Sequence, residues 1–335
     1  MRKAIILPII LTAIVSGYST YSLLDTFVIE RVEGQVDFNF SSSPNNSNNS
    51  TISISNSESS SQVSNSGPSS VEQSSTIQVG SDSYFKDTPT YTDSSYADPN
   101  IYINIETYRD DKDTTTIYAA EIRLKSLSNL RTALAKSSYG RNITQKTSSM
   151  ARDNNAIIAI NGDYYGAQEK GYVLRNNVIL RSKMRSGAED LAIYEDGSFE
   201  IFKETKERTL ESIADQGAYQ VFSFGPGLLR DGEVLVDEDD EVLYSKEDNP
   251  RCAIGIVEPL HYYFVVADGR TNISKGLKLY ELANELKKLG CASGYNLDGG
   301  GSATMVFNGS VVNQPTADGR TIKERSISDI VYIGT

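Results

Sequence analysis

The chain has 335 residues, a formal net charge of −12 and a sequence pI near 4.7. That balance excludes a general nucleic-acid binder, which would carry a basic stripe, yet it leaves room for a local arginine cluster and an anionic substrate. The two cysteines, Cys252 and Cys291, are too few to define a disulfide scaffold, and two buried free thiols are the simpler reading beside a single bridge in an oxidising compartment.

Arg2 and Lys3 precede an apolar run from Ala4 to Val15, and no charge follows until Asp25. This predicts an uncleaved N-terminal anchor over 1–27 with its positive end in the cytoplasm; a cleaved signal peptide is the competing reading, although no clean A-x-A site follows. Either way the rest of the chain is expected outside, on the cell membrane through one span or secreted. From 28 to 99 the composition reads as a disordered stalk: Ser, Asn, Thr and Gly dominate from about Ser41 to about Pro99, without enough apolar surface to offset ordering entropy. Val28–Phe40 reads equally as a short strand or as linker.

Order is expected over 100–335. Ile101, Ile103 and Ile105 alternate with polar neighbours, the period of a half-buried strand, and Thr116–Leu124 reads as its partner. Leu127–Ser149 is polar and mixed, with a weak helical segment around Ala151. Ala156–Ile160 is a short β-branched run, expected as a central strand, that ends directly in N-G-D-Y-Y-G (Asn161–Gly166). Asp196-Gly197 and Asp231-Gly232 are hairpin signals, and Pro226 between glycines demands irregular backbone. The acidic run Asp237–Glu241 lacks EF-hand spacing and reads as a solvated loop. Arg251–Val257 and His261–Ala267 are buried-strand runs. Between Gly276 and Leu289, Leu279, Leu282, Ala283, Leu286 and Leu289 recur at helical spacing, and Gly290 supplies a C-terminal cap. Thr304–Phe307 and Ser310–Asn313 flank Asn308-Gly309 as a hairpin, and Ile327–Ile333 is a last strand. Strands outnumber helices several-fold, so the expected class is α+β, a mixed but largely antiparallel sheet domain with few helices.

Three apolar strands each end in a carboxylate set among glycines: Asp163, Asp268 in A-D-G-R, and Asp298 in L-D-G-G-G-S. If those ends converge they provide the paired carboxylates that glycosidic cleavage requires. Each alone is an ordinary turn residue. Arg251, Arg270 and Arg325 add guanidinium groups whose planar fork matches phosphodiester oxygens, and the N–H groups of Gly299, Gly300 and Gly301 complete an anion site. A Ser-His-Asp triad is not supported, since the only histidine, His261, lies in an apolar strand. The glycine triplet leads into a strand rather than a helix, which speaks against dinucleotide and phosphate-loop fingerprints. One histidine and two separated cysteines make no structural zinc site.

The order N-G-D-Y-Y, F-G-P-G-L-L-R-D-G, P-R-C-A-I-G, V-A-D-G-R with S-K-G-L, E-L-A and L-G-C, N-L-D-G-G-G-S-A-T-M and finally R-S-I-S-D resembles the phosphodiester glycosidase family over roughly Ile101 to Thr335. Cys252 departs from the threonine common there. The resemblance implies hydrolysis of an α-linked, N-acetylglucosamine-like sugar from a 1-phosphate diester by a domain built on β-sheet. On that reading Asp298 and Asp163 supply the acid and the base or nucleophile, with Asp268 a third carboxylate. Arg251 and Arg270 hold the phosphodiester, with Arg325 nearby, and Asn161, Asn296 and Ser302 orient sugar hydroxyls. Tyr164 and Tyr165 are candidates for stacking on a sugar face or for core aromatics. The expected partner is a glycan or sugar-phosphate polymer, with the membrane reached through the N-terminal segment. No cofactor is required by the sequence, although a divalent cation is admissible. Two other classes remain open: a non-catalytic glycan-binding module on a stalk, and a metal-dependent phosphodiesterase whose aspartates bind Mg²⁺ or Ca²⁺.

Overall fold

The computed structural model describes Leu24 and residues 28–38, 83–237 and 247–335. The predicted anchor, most of the stalk and all but the first residue of the acidic run lie outside those residues. No helix among the described residues is long and apolar enough to cross a membrane.

In chain order the strands are β1 (Arg31–Gln35), β2 (Thr90–Tyr91), β3 (Ser95–Ala97), β4 (Ile101–Arg109), β5 (Thr116–Leu124), β6 (Leu130–Leu134) and β7 (Ser138–Arg141). After helix α1 (Thr147–Asp153) come β8 (Ile158–Asn161), β9 (Val173–Arg175), β10 (Val178–Arg181), β11 (Glu189–Tyr194) and β12 (Phe199–Lys203). Helix α2 (Leu210–Ala214) precedes β13 (Ala218–Phe222), β14 (Gly227–Arg230), β15 (Glu233–Val234), β16 (Arg251–Glu258) and β17 (His261–Ala267). Helix α3 (Leu279–Lys288) leads to β18 (Ser293–Leu297), β19 (Met305–Phe307), β20 (Ser310–Val311) and β21 (Asp329–Ile333).

These strands form a nine-stranded sheet in the order β15-β14-β18-β16-β17-β5-β4-β3-β2, two five-stranded sheets, β20-β19-β8-β21-β6 and β10-β9-β13-β11-β12, and a two-stranded sheet, β1-β7. The pairing is antiparallel wherever it is described, so the expected mostly antiparallel domain with few helices is what forms. Both faces of β16 and β17 are buried over most of their length, which is why they read as continuous apolar runs rather than alternating ones. Ile101, Ile103 and Ile105 of β4 face inward, as their spacing requires.

The inner faces of all three large sheets share one core: Ile122 and Phe264 from the nine-stranded sheet meet Ile160 and Val331 from one five-stranded sheet and Leu191 and Phe222 from the other. On its outer face the nine-stranded sheet is covered by α3, whose stripe Leu279, Leu282, Ala283 and Leu286 packs on Ala253 and Val265. Each fully buried leucine there contributes roughly 1.5–3 kcal/mol. The Glu281 carboxylate accepts the Lys278 N–H at 2.9 Å at one end of the helix, and Gly290 at φ +82° ends it, as its sequence position predicted.

Two expectations need correction at their edges. The stretch assigned to the stalk contains β2 and β3, which extend the nine-stranded sheet beyond β4, while Val28–Phe40, which reads equally as strand or linker, contains β1, paired with β7, with Val36 after it packing against Tyr139 and Tyr165. The polar stretch Leu127–Ser149 contains β6 and β7 as well as the start of α1; β6 pairs with β21, and the sheet supplies the partners that its mixed composition did not advertise.

Candidate active site

The end of β8 and the end of β18 meet where two sheets come together. β18 belongs to the nine-stranded sheet and β19 to a five-stranded one, so Asp298 and the glycines form a crossover between sheets rather than a hairpin. Asn161 stitches that crossover: its Nδ2 donates to the Asp298 carbonyl at 2.6 Å, and its Oδ1 accepts the Thr304 N–H at 3.2 Å. The Asp298 N–H donates to the Gly162 carbonyl at 3.2 Å. Asn161 is therefore a positioning residue for the loop, its amide committed to backbone groups rather than to a sugar.

Each glycine of the triplet is required by a close approach. A Cβ on Gly299 would lie 2.7 Å from the Pro250 carbonyl oxygen, and one on Gly301 would lie 2.9 Å from the Ala317 Cβ. Gly300 stands at φ +58°, with a Cβ position only 3.0 Å from Arg270 Nη2. Arg270 itself adopts φ +63° and is exposed; it donates to Asn249 Oδ1 at 3.2 and 3.1 Å and to the Ala317 carbonyl at 2.8 Å. A single 3₁₀ turn, Gly300–Ser302, precedes β19.

Asp298 and Arg325 pair at 2.9 Å, Oδ2 to Nη2, and Arg325 Nε donates to Ser302 Oγ at 2.8 Å. Burial raises the Asp298 carboxyl above the ordinary carboxylate range; the Arg325 charge and hydrogen bonds from Ser302 and Arg325 oppose this, and the Asp163 charge adds to it. The ring of Tyr164, a residue held at φ +66°, lies 5.8 Å from the Arg325 guanidinium carbon. Tyr165 is instead a buried core aromatic stacked on Tyr139.

Asp163 sits on a second Asp–Arg arrangement. Arg175, fully buried on β9, places Nη2 at 2.9 Å from Asp163 Oδ2 and 2.8 Å from Asp329 Oδ2. Asp163 also accepts the N–H groups of Ser223 at 2.9 Å and Tyr165 at 3.1 Å. Burial pushes the Asp329 carboxyl up to about 7, with Arg175 opposing and the Asp163 charge reinforcing. Ser223 is held in turn by Glu204, whose Oε1 accepts the hydroxyl at 3.0 Å, and by Arg185. Arg175, Asp329, Ser223 and Glu204 were not singled out by sequence reasoning. The Asn176-Asn177 dipeptide was the available signal: both residues have positive φ and turn β9 into β10, which fixes Arg175 at a strand end.

The other candidates are placed less centrally. Asp268 is buried, accepting Tyr118 Oη at 3.2 Å, Asn313 Nδ2 at 3.0 Å and the Gln314 N–H at 2.9 Å; burial raises its carboxyl and these bonds oppose it. Its contacts fasten the segment after β20 to the end of β17. Arg251 is buried toward the α3 side and donates through Nε to the Leu277 carbonyl at 2.7 Å, with burial lowering its pKa to about 10. Asn296 donates to the Gly225 carbonyl at 2.8 Å, while its buried Oδ1 has no hydrogen-bond partner among the described residues. Cys252 and Cys291 are free and buried, and Cys252 Sγ lies 4.0 Å from the Asn161 carbonyl oxygen. Among the described residues no three His, Cys, Asp or Glu side chains gather as a metal-binding group.

The profile of the phosphodiester glycosidase family matches residues 154–334, from before the N-G-D-Y-Y turn to the end of β21. The chain belongs to that family. Phosphodiester glycosidases are hydrolases, and the family as a whole is one of glycosidases that act on phosphodiester-linked sugars. Human N-acetylglucosamine-1-phosphodiester alpha-N-acetylglucosaminidase is 29% identical over 182 residues, covering 50% of this chain and 35% of the human protein. The uncharacterised SPbeta prophage-derived protein YomE of Bacillus subtilis (strain 168) is 26% identical over 202 residues, 58% of this chain and 30% of its own length. This chain thus spans about a third of the length of the curated relatives it matches. The catalytic domain of the zebrafish N-acetylglucosamine-1-phosphodiester alpha-N-acetylglucosaminidase, auto-inhibited by its pro-peptide, superimposes with a TM-score of 0.57 at 21% identity, over 70% of this chain and 83% of that one. At that identity the likeness is one of fold.

Proposed function

We propose that this phosphodiester glycosidase releases an α-linked sugar of N-acetylglucosamine type from a sugar 1-phosphate diester on a glycan or cell-surface polymer, outside the membrane that its N-terminal apolar segment would anchor it to. The observation that carries the reading is the pairing of a largely buried acid, Asp298, with the half-exposed Arg325 beside the glycine crossover and Arg270. Cleavage breaks the bond between the anomeric carbon and the phosphate oxygen; water supplies hydroxyl to the sugar and a proton to the medium or the phosphate. Phosphate is a good leaving group, so guanidinium stabilisation of its charge matters more than full protonation.

Asp298 is then the carboxylate that attacks the anomeric carbon or activates water. Arg325 and Arg270 hold the phosphate with the glycine N–H groups, and Ser302 aligns Arg325. Asp163, closed in by Arg175 and two backbone N–H groups, acts through its charge on Asp298, and Asp268 and Asn161 hold the loops.

Incubation with UDP-N-acetylglucosamine or a sugar-phosphate diester tests this directly. Free sugar is the expected product. Sugar 1-phosphate would indicate a phosphodiesterase instead, and no product would favour a binding module. Asp298→Asn should abolish sugar release with an unchanged circular dichroism spectrum; near-normal turnover in that variant refutes the assignment.

A further inference from the structure

Two aspartate–arginine pairs stand at the crossover, and they differ in one physical respect. Arg175 has no exposed side-chain surface and is gripped by two carboxylates, so it cannot leave. Arg325 is 44% exposed along its side chain, whereas its partner Asp298 is only 10% exposed. Its anchoring is at the backbone, where its N–H donates to the Gly301 carbonyl at 3.2 Å. Its guanidinium makes one bond to a neutral hydroxyl, one to Asp298, and faces the Tyr164 ring. The adjacent acid, Glu324, does not hold it, because that carboxylate accepts the Ser148 N–H at 2.9 Å and the Ser148 hydroxyl at 2.6 Å.

Resting on the reading of the site as one for a phosphodiester, we propose that Arg325 is exchanged: the substrate phosphate takes the guanidinium from Asp298, which becomes a stronger base only once substrate is bound. An anion brings its own charge and two oxygens to a fork that Asp298 engages through one. When the cation moves, Asp298 keeps its burial and the Asp163 charge from the end of β8, with Ser302 of the glycine turn and the Cys252 thiol of β16, its pKa itself raised by burial, beside it. Losing the counter-ion raises the affinity of the carboxylate for a proton. The pair at rest keeps Asp298 quiet toward water, and the substrate's own charge releases it.

The consequence is measurable without turnover, because anion binding must then take up protons in the acidic range where the Asp298 carboxyl titrates, while above that range the carboxylate stays an ionised base. Sulfate is the probe, since it does not titrate near neutrality. Calorimetric titration of the purified protein with sulfate, in buffers of different ionisation enthalpy, counts the protons taken up on binding. Uptake is expected in the parent, none in Asp298→Asn, and in Arg325→Gln both weaker sulfate binding, by about tenfold, and no uptake. Sulfate binding without uptake means that Arg325 stays on Asp298 and overturns the exchange. Uptake that persists in Arg325→Gln assigns it to the anion's field and overturns it equally. No sulfate binding by the parent removes the anion site altogether. None of these results bears on sugar release, which tests the underlying reading separately. In active protein, the acidic limb of kcat should lie at higher pH than that of kcat/KM, the two reporting bound and free enzyme, and Arg325→Gln should bring them together.

Discussion

Replacing Arg175 by methionine is the most demanding test of how the site is supported. The side chain is fully buried, bridges Asp163 and Asp329, and also donates through Nη1 to the Leu174 and Val221 carbonyls. Its loss leaves two carboxylates with essentially no exposed surface and no cation. Breaking a buried pair in this way costs about 3–5 kcal/mol, a large share of the roughly 5–15 kcal/mol available to a domain. Asp329, whose carboxyl burial and the Asp163 charge already raise, would then lose the opposing Arg175 charge and hold its proton in the folded state still further above the unfolded carboxylate range. A carboxyl whose folded pKa is raised contributes most at low pH and loses that contribution as pH rises, at up to about 1.4 kcal/mol per pH unit for each extra proton bound. The deficit of Arg175→Met relative to the parent should therefore be smaller near about pH 5 than near about pH 8. Urea unfolding followed by circular dichroism measures it; tyrosine fluorescence is the only strong intrinsic optical alternative in a chain with 20 tyrosines and no tryptophan. Adding Asp329→Asn should restore part of the loss at the higher pH. A deficit under about 1 kcal/mol at both pH values would refute the view that Arg175 holds this site together.

Gly300→Ala should cost about 1–2 kcal/mol from its left-handed backbone alone, and by pressing on Arg270 should raise KM for the phosphodiester; unchanged stability and KM would mean that the loop relaxes freely. Asn161→Ala leaves the Asp298 carbonyl and the Thr304 N–H without their partner, at roughly 1–3 kcal/mol for each buried group, and should lower Tm together with kcat. Retained Tm would show that backbone pairing alone holds the crossover. Burial raises both thiols, Cys291 to about 12 and Cys252 well above its usual range, so iodoacetamide should label neither in the folded protein and both in urea, as mass spectrometry will report.

Local patterns determined much of this molecule. The period of two in Ile101–Ile105 and the helical stripe from Leu279 to Leu286 depend only on which face is wet, and both elements form where that logic puts them. The hairpins at Asp196-Gly197 and Asp231-Gly232 follow from residues that tolerate positive φ, a local property. The glycine triplet announced close approaches for the same reason, although not what approaches: the Pro250 carbonyl, Arg270 and Ala317 come from distant parts of the chain.

What the tertiary structure alone decided is how the charged groups are shared out. Sequence identified Asp163, Asp268 and Asp298 as equivalent strand-end carboxylates, but burial and partners separate them: Asp268 is tied to Asn313 and Gln314, Asp163 to Arg175, and Asp298 to the exposed Arg325. Charge pairing is a matter of distance and desolvation across segments far apart in sequence, and a sequence carries neither. The strands and turns were legible because they are set by nearest neighbours; the division of the aspartates between support and chemistry was not, because it exists only once three sheets have closed on one another.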